Sequence, residues 1–110
     1  MADNTLGAAF DRLLQTAAAR RNGDPDTSYT ARLLSEGPER CAKKFGEEAV
    51  EAVIAGVAGD KAALAEETAD VLYHLSVFLT ACDVAPGDIA AVLAAREGVS
   101  GLDEKAARKK

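Results

Sequence analysis

Seven acidic side chains fall in one stretch of this chain, residues 40–82, and all but Asp60 crowd into two groups: RCAKKFGEEAVEAVIAGVAGDKAALAEETADVLYHLSVFLTAC. Glu47, Glu48 and Glu51 fall in its first half; Glu66, Glu67 and Asp70 fall in its second. Both halves carry apolar residues at helical spacing, and Gly59-Asp60 between them reads as a tight turn. In an antiparallel helix hairpin, residues equally far from the turn stand at the same height. By that count Glu51 is level with Glu67, and Glu48 with Asp70. Each arm then offers two carboxylates spaced i, i+3 on one face. Two such pairs facing each other suit a hard cation with oxygen ligands, Mg²⁺ or Mn²⁺, which keeps positions open for phosphate and water.

A plainer reading competes with this one. Helix glutamates are ordinarily a solvated face, and Lys43/Glu47 and Lys44/Glu48 are spaced for i, i+4 ion pairs. The constellation argues the other way. Carboxylates about 4 Å apart repel by roughly 4 kcal/mol per pair at an effective dielectric of ~20. Four of them together need a counterion or must splay into water. On the second arm Leu64, Val71, Leu75, Phe78, Leu79 and Cys82 form the expected apolar stripe. Glu67 and Asp70 lie on its flank, not opposite it.

The elements that must hold these groups are all helical. No period-2 alternation is long enough for a strand, and the plentiful alanine favours closely packed helices. A first helix is expected from near Thr5 to Arg21 through Leu6, Phe10, Leu13, Leu14 and Ala17. It is ended by Asn22-Gly23-Asp24-Pro25-Asp26. Thr27 or Ser28 can cap a short second helix, Tyr29 to Glu36, anchored by Leu33 and Leu34. Gly37 closes it, and Pro38 suits the first position of a third helix running to about Ala58. Val50, Val53, Ile54 and Val57 are expected as the core stripe of that helix. Arg40, Lys44, Glu47 and Glu51 share a neighbouring stripe, so positive charge precedes negative charge along one edge. That order suits a ligand with several phosphates.

Asp60 can cap the fourth helix, Lys61 to about Ala81. After Asp70 it is apolar nearly all round and must be covered on several sides. A chain of 110 residues has few helices to do so, and a homo-oligomer, a dimer at least, is therefore expected. A fifth helix is expected from Pro86 to Glu97, then a short terminal turn or helix, with 99–110 a mobile tail of a single 110-residue domain. His74, the one histidine, follows Asp70 by a turn. It is either hydrogen-bonded to a neighbour or set near a phosphate or leaving group. Tyr73 points to another side, as interface packing would require.

Composition narrows the classes. The net charge is −5, which disfavours a broad nucleic-acid surface. No apolar segment reaches the length of a membrane span, and no signal peptide is evident. Cys41 and Cys82 lack metal-ligand or CxxC spacing and read as free, largely buried thiols of a cytoplasmic protein.

The residues also resemble a known family. EExxE at Glu47-Glu48-Ala49-Val50-Glu51, followed by ExxD at Glu67-Thr68-Ala69-Asp70, is similar to the all-α, MazG-like nucleoside triphosphate pyrophosphohydrolases. SYTARLLSEGPERCAKKFGEEAVEAVIA, DVLYHL and SGLDEKA narrow this to the phosphoribosyl-ATP pyrophosphohydrolases of histidine biosynthesis. The likeness spans about Leu6 to Arg108. Phe45 stands where a smaller aliphatic residue is expected. The resemblance implies Mg²⁺-dependent cleavage of N1-(5-phosphoribosyl)-ATP between the α and β phosphates. It implies metal ligation by Glu48, Glu51, Glu67 and Asp70, with Glu47 or Glu48 assisting the attacking water. Some members are fused to the cyclohydrolase of the next step; this chain is expected to be the stand-alone form. Phosphate contacts are expected from among Arg40, Lys43, Lys44, Arg96, Lys105 and Arg108, with His74 nearby. Tyr29 and Thr30 line either the substrate pocket or, for Tyr29, the core. Two rival readings are a house-cleaning pyrophosphohydrolase for ordinary or damaged nucleotides, and a non-catalytic helical dimerisation module.

Overall fold

A computed structural model describes residues 4–98 together with Gly101, Lys105 and Arg108. The described residues contain five α-helices and no strand: α1 (Leu6–Arg20), α2 (Tyr29–Glu36), α3 (Pro38–Val57), α4 (Lys61–Ala81) and α5 (Pro86–Arg96). Most of the expected terminal turn, and most of the tail at 99–110, lie outside the described residues.

Local chemistry sets the boundaries. The side chains of Thr5, Ser28 and Asp60 accept from the backbone N–H three residues on, satisfying a donor that a helix start leaves open. Gly37 (φ 96°) ends α2 in a conformation that side chains resist, and Pro38 begins α3 at once. Gly59 (φ 77°) does the same at the turn into α4.

The α3–α4 hairpin is the most extensive packing in the molecule; α1 lies on α4, and α2 bridges the two arms. Arg21 fastens the end of α1 to the end of α4 by an ion pair to Asp83 (2.8 Å) and a hydrogen bond to the Thr80 carbonyl. Leu33, Cys41 and Val77 are the buried core, with Leu34, Tyr73, Phe78 and Ala81 against them. The rings of Phe45 and Phe78 stack there with centroids 5.9 Å apart. The axes of α4 and α5 are bent by 114°, and among the described residues no single helix is long and apolar enough to cross a membrane.

Three expectations about side-chain direction are overturned. Val50, Val53, Ile54 and Val57 are 58, 62, 62 and 86% exposed, so they form no core in this chain. The contact face of α3 runs instead through Cys41, Phe45, Glu48, Ala52 and Ala55, spaced by fours and threes, all buried or half-buried. Small residues there let the two arms approach, which turns the large aliphatics outward. On α4 the buried residues are His74, Ser76, Val77 and Thr80, while the expected apolar stripe is half-covered and Leu64 is 37% exposed. Ser76 and Thr80 satisfy their hydroxyls by donating to the carbonyls of Tyr73 and Ser76. Cys82 is exposed, because it caps α4 beyond its last covered turn; Cys41 is buried and donates to the Leu33 carbonyl. The radius of gyration is 16.1 Å, well above the ~13 Å of a compact chain of about a hundred residues.

Candidate active site

Glu67 and Asp70 lie on the inner face of α4, in the row Ala63, Glu67, Asp70, His74 and Val77, with Glu48 in the facing row of α3. The hairpin therefore points these carboxyls at one another. One oxygen from each of Glu48, Glu67 and Asp70 lies within 4.8 Å of the others. The level-by-level pairing expected from the turn is what brings Glu48 toward Asp70 and Glu51 toward Glu67.

The electrostatics are those of crowded acids. Burial pushes the Glu48 carboxyl above the ordinary glutamate range, and a hydrogen bond to Glu51 with the charges of Glu51, Asp70 and Glu67 pushes it further. Burial likewise raises Glu67, helped by the charge and hydrogen bond of Glu51 and by Asp70 and Glu66. Glu67 Oε2 is shut off from solvent and has no hydrogen-bond partner. Among the described residues Lys43/Glu47 and Lys44/Glu48 close no ion pair; Arg40 pairs with Glu36 at 3.2 Å.

These residues fit a small divalent cation. At Mg²⁺–oxygen distances of about 2.1 Å, octahedral ligands stand ~3.0 Å apart at adjacent positions and ~4.2 Å apart across the ion, so three oxygens within 4.8 Å of one another would draw in around it. The orphaned Glu67 Oε2 is a buried oxygen that a cation would satisfy. A cleft of about 340 Å³ opens beside the cluster, bounded by Glu51, Glu67 and Asp60, with Ile54, Ala55 and Ala63 between them.

An aromatic cluster adjoins the acids. Tyr73 hydrogen-bonds Thr30 (Oγ1 to hydroxyl 2.5 Å), and its ring stacks on Tyr29 with centroids 6.5 Å apart. His74 meets both rings edge-on, at 6.3 and 4.9 Å. Tyr73 thus points into this cluster. His74 is buried, and its Nδ1 has no hydrogen-bond partner. Burial and the Lys44 charge hold His74 below its ordinary pKa, partly offset by Asp70 and Glu47. The Tyr73 contacts were missed because adjacent helix residues point about 100° apart. Only the position of α2 shows that both rings meet Tyr29, Tyr73 by stacking and His74 edge-on. Glu47, Glu51 and Lys43 are exposed, Lys44 is half-buried, and Arg96, Lys105 and Arg108 are exposed outside the clefts described here.

A family model described as phosphoribosyl-ATP pyrophosphohydrolase matches residues 10–97. The chain belongs to the phosphoribosyl-ATP pyrophosphohydrolase family. It is 61% identical over 99 residues to a phosphoribosyl-ATP pyrophosphatase of Cereibacter sphaeroides, covering 90% of this chain and 96% of that one. The protein of that name from Ruegeria sp. strain TM1040 is 63% identical over 98 residues, 89% of this chain and 93% of its own. The Paracoccus denitrificans protein is 59% identical over 98 residues, 89% and 91% of the two chains. All four carboxylates and the aromatic cluster fall within the stretch shared with the phosphoribosyl-ATP pyrophosphohydrolases; Lys105 lies beyond it.

Proposed function

We propose that this chain hydrolyses N1-(5-phosphoribosyl)-ATP at the α–β phosphoanhydride, giving phosphoribosyl-AMP and pyrophosphate in histidine biosynthesis, and that it does so with Mg²⁺. The observation that carries the reading is the convergence of Glu48, Glu67 and Asp70 from two helices, in a member of this family. Glu48, Glu51, Glu67 and Asp70 would hold the cation, with Mn²⁺ as a substitute. Once bound, it would supply Lewis-acid polarisation of the phosphoryl oxygens and a more acidic water.

The chain's own groups do the rest. Glu47, next to the cluster but outside it, is the side chain left to orient the attacking water and take its proton, with Glu48 the alternative. The water attacks an anhydride phosphorus in line, and pyrophosphate leaves. Lys43 and Lys44 bring positive charge within a turn of the acids, and Arg40 lies two turns before Glu47. Arg96, Lys105 and Arg108 complete the pool from which phosphate contacts come.

A second copy of the chain covers Val50, Val53, Ile54 and Val57, on the face of α3 that also borders the cleft through Ile54. Four exposed aliphatics on one helix and the extended shape support this reading. The setting is the cytoplasm, where the exposed Cys82 thiol stays reduced.

The test is pyrophosphate release from phosphoribosyl-ATP beside dATP and dUTP, with and without Mg²⁺. Release from phosphoribosyl-ATP alone, and only with the metal, is expected. Equal turnover of dATP and dUTP would instead make the chain a house-cleaning enzyme. Sedimentation equilibrium tests the assembly, and a concentration-independent monomer overturns it.

A further inference from the structure

We propose that Tyr29, backed by Tyr73 and His74, is the platform on which the N1-substituted adenine of the substrate stacks, and that this ring selects it over ordinary adenine. The proposal deepens the function given above and rests on it. Tyr29 opens α2 and is 51% exposed, yet it is not a loose surface ring. One side lies against Tyr73 at an interplanar angle of 17°, and the His74 ring stands perpendicular to it. The Thr30 to Tyr73 hydrogen bond fixes the backing ring in turn. The result is a braced aromatic surface with half its area open.

A second observation concerns hydrogen bonding, not ring stacking. His74 is only 7% exposed, and its Nδ1 has no hydrogen-bond partner. A buried polar atom left unpaired is costly, so the folded chain keeps an unmet hydrogen-bonding capacity here. His74 follows Asp70 by one helical turn, about 5–6 Å along α4. That is roughly the length of the ribose between a 5′-phosphate and its base. With phosphates at the carboxylates, the sugar falls beside His74 and the base beside Tyr29.

The chemistry of the base supplies the selectivity. Alkylation at N1 turns adenine into an amidine-type base, which holds a proton delocalised over N1, C6 and N6. The ring becomes a flat cation, whereas the adenine of ATP is neutral. Stacking alone accepts either ring, because every base has a π-face. An electron-rich tyrosine face adds an attraction to the cationic one alone.

The probes are 1-methyl-AMP and AMP, which differ only in the N1 group and its charge and need no turnover. Equilibrium binding is measured for the full chain with Mg²⁺ and for Tyr29→Phe, Tyr29→Trp and Tyr29→Leu. The unaltered chain is expected to bind 1-methyl-AMP about tenfold more tightly than AMP. Tyr29→Leu should cut that preference to below about threefold, Tyr29→Phe should keep it, and Tyr29→Trp should keep or widen it. Melting by circular dichroism checks that each variant is folded. Equal binding of the two probes by the unaltered chain overturns the proposal. So does a preference that survives in Tyr29→Leu. The pyrophosphate assay stays separate. A chain that prefers 1-methyl-AMP but releases no pyrophosphate overturns the activity and leaves the base subsite standing. An active chain with a flat binding ratio overturns the subsite alone.

Discussion

The two ends of the α3–α4 hairpin are built differently. Far from the turn, α2 and the end of α1 pack over the arms, Leu33, Cys41 and Val77 are about 1% exposed, and the buried hydroxyls and thiol all donate hydrogen bonds. Near the turn, four aliphatics of α3 face outward and the inner rows carry acids. The same spacing runs through both ends. Only the residue types change, from Cys41 and Phe45 to Glu48 on one arm, and from Val77 and His74 to Asp70 and Glu67 on the other. One end holds the fold; the other, as proposed, is left for a cation and a second chain to complete. The site lies where they meet.

If that division is right, damage to the acidic end should cost activity without cost to folding. Asp70→Asn removes a charge from the cluster at nearly constant shape. Pyrophosphate release should fall by at least about a hundredfold while the helical circular dichroism is unchanged. Near-normal turnover in this variant would remove Asp70 from the metal site. The opposite end should behave oppositely. Leu33→Ala opens a cavity among fully covered neighbours and should cost about 2–5 kcal/mol of stability. Turnover per folded molecule should change little, and chemical denaturation alongside the assay separates the two effects.

Much of this division could be read in the sequence, and the unread part has one cause. Thr5, Ser28, Gly37-Pro38 and Asp60 are local signals, and the helices begin where those residues allow. The register of the hairpin follows from turn position alone, which is why Glu48, Glu67 and Asp70 could be brought together before any coordinates. Side-chain direction was harder. Val50 to Val57 read as core because aliphatics at helical spacing usually face their own chain, but the close approach through Ala52 and Ala55 turns them out. Tyr73 and the unpartnered His74 nitrogen depend on where α2 lies, and no spacing within α4 carries that.

The exposed aliphatics give a sharper test of the unfinished end. Val53→Asp puts a carboxylate into a stripe that is 58–86% exposed in one chain. In a symmetric assembly it would be buried twice, once in each subunit. Association should weaken by at least about tenfold in sedimentation equilibrium, because burying an unpaired charge is costly. The melting temperature of the dilute chain should barely move. An unchanged mass would show that the covered surface lies elsewhere.

The smallest effect is a shift of stability with pH, and its sign separates the two ends most cleanly. Glu48 and Glu67 have folded pKa values raised first by burial and then by Glu51 and their other acidic neighbours. A raised carboxyl binds more protons folded than unfolded. Its favourable contribution is therefore full below the ordinary glutamate value of 4.5 and is lost as pH rises through the raised value. His74 runs the other way: its lowered pKa contributes stability above its ordinary value of 6.5, lost as pH falls through the lowered one. Glu67→Gln isolates the acidic part, since His74 is common to both chains. Without divalent metal the variant should melt higher than the unaltered chain at pH 7–8, and the gap should close as pH falls toward 4.5. Mg²⁺ should reverse the order, because a cation that binds only the folded chain stabilises it by mass action, and the variant has lost a ligand. A gap that ignores both pH and Mg²⁺ would mean that Glu67 neither titrates abnormally nor binds the cation, and that the two ends of the hairpin differ in packing alone.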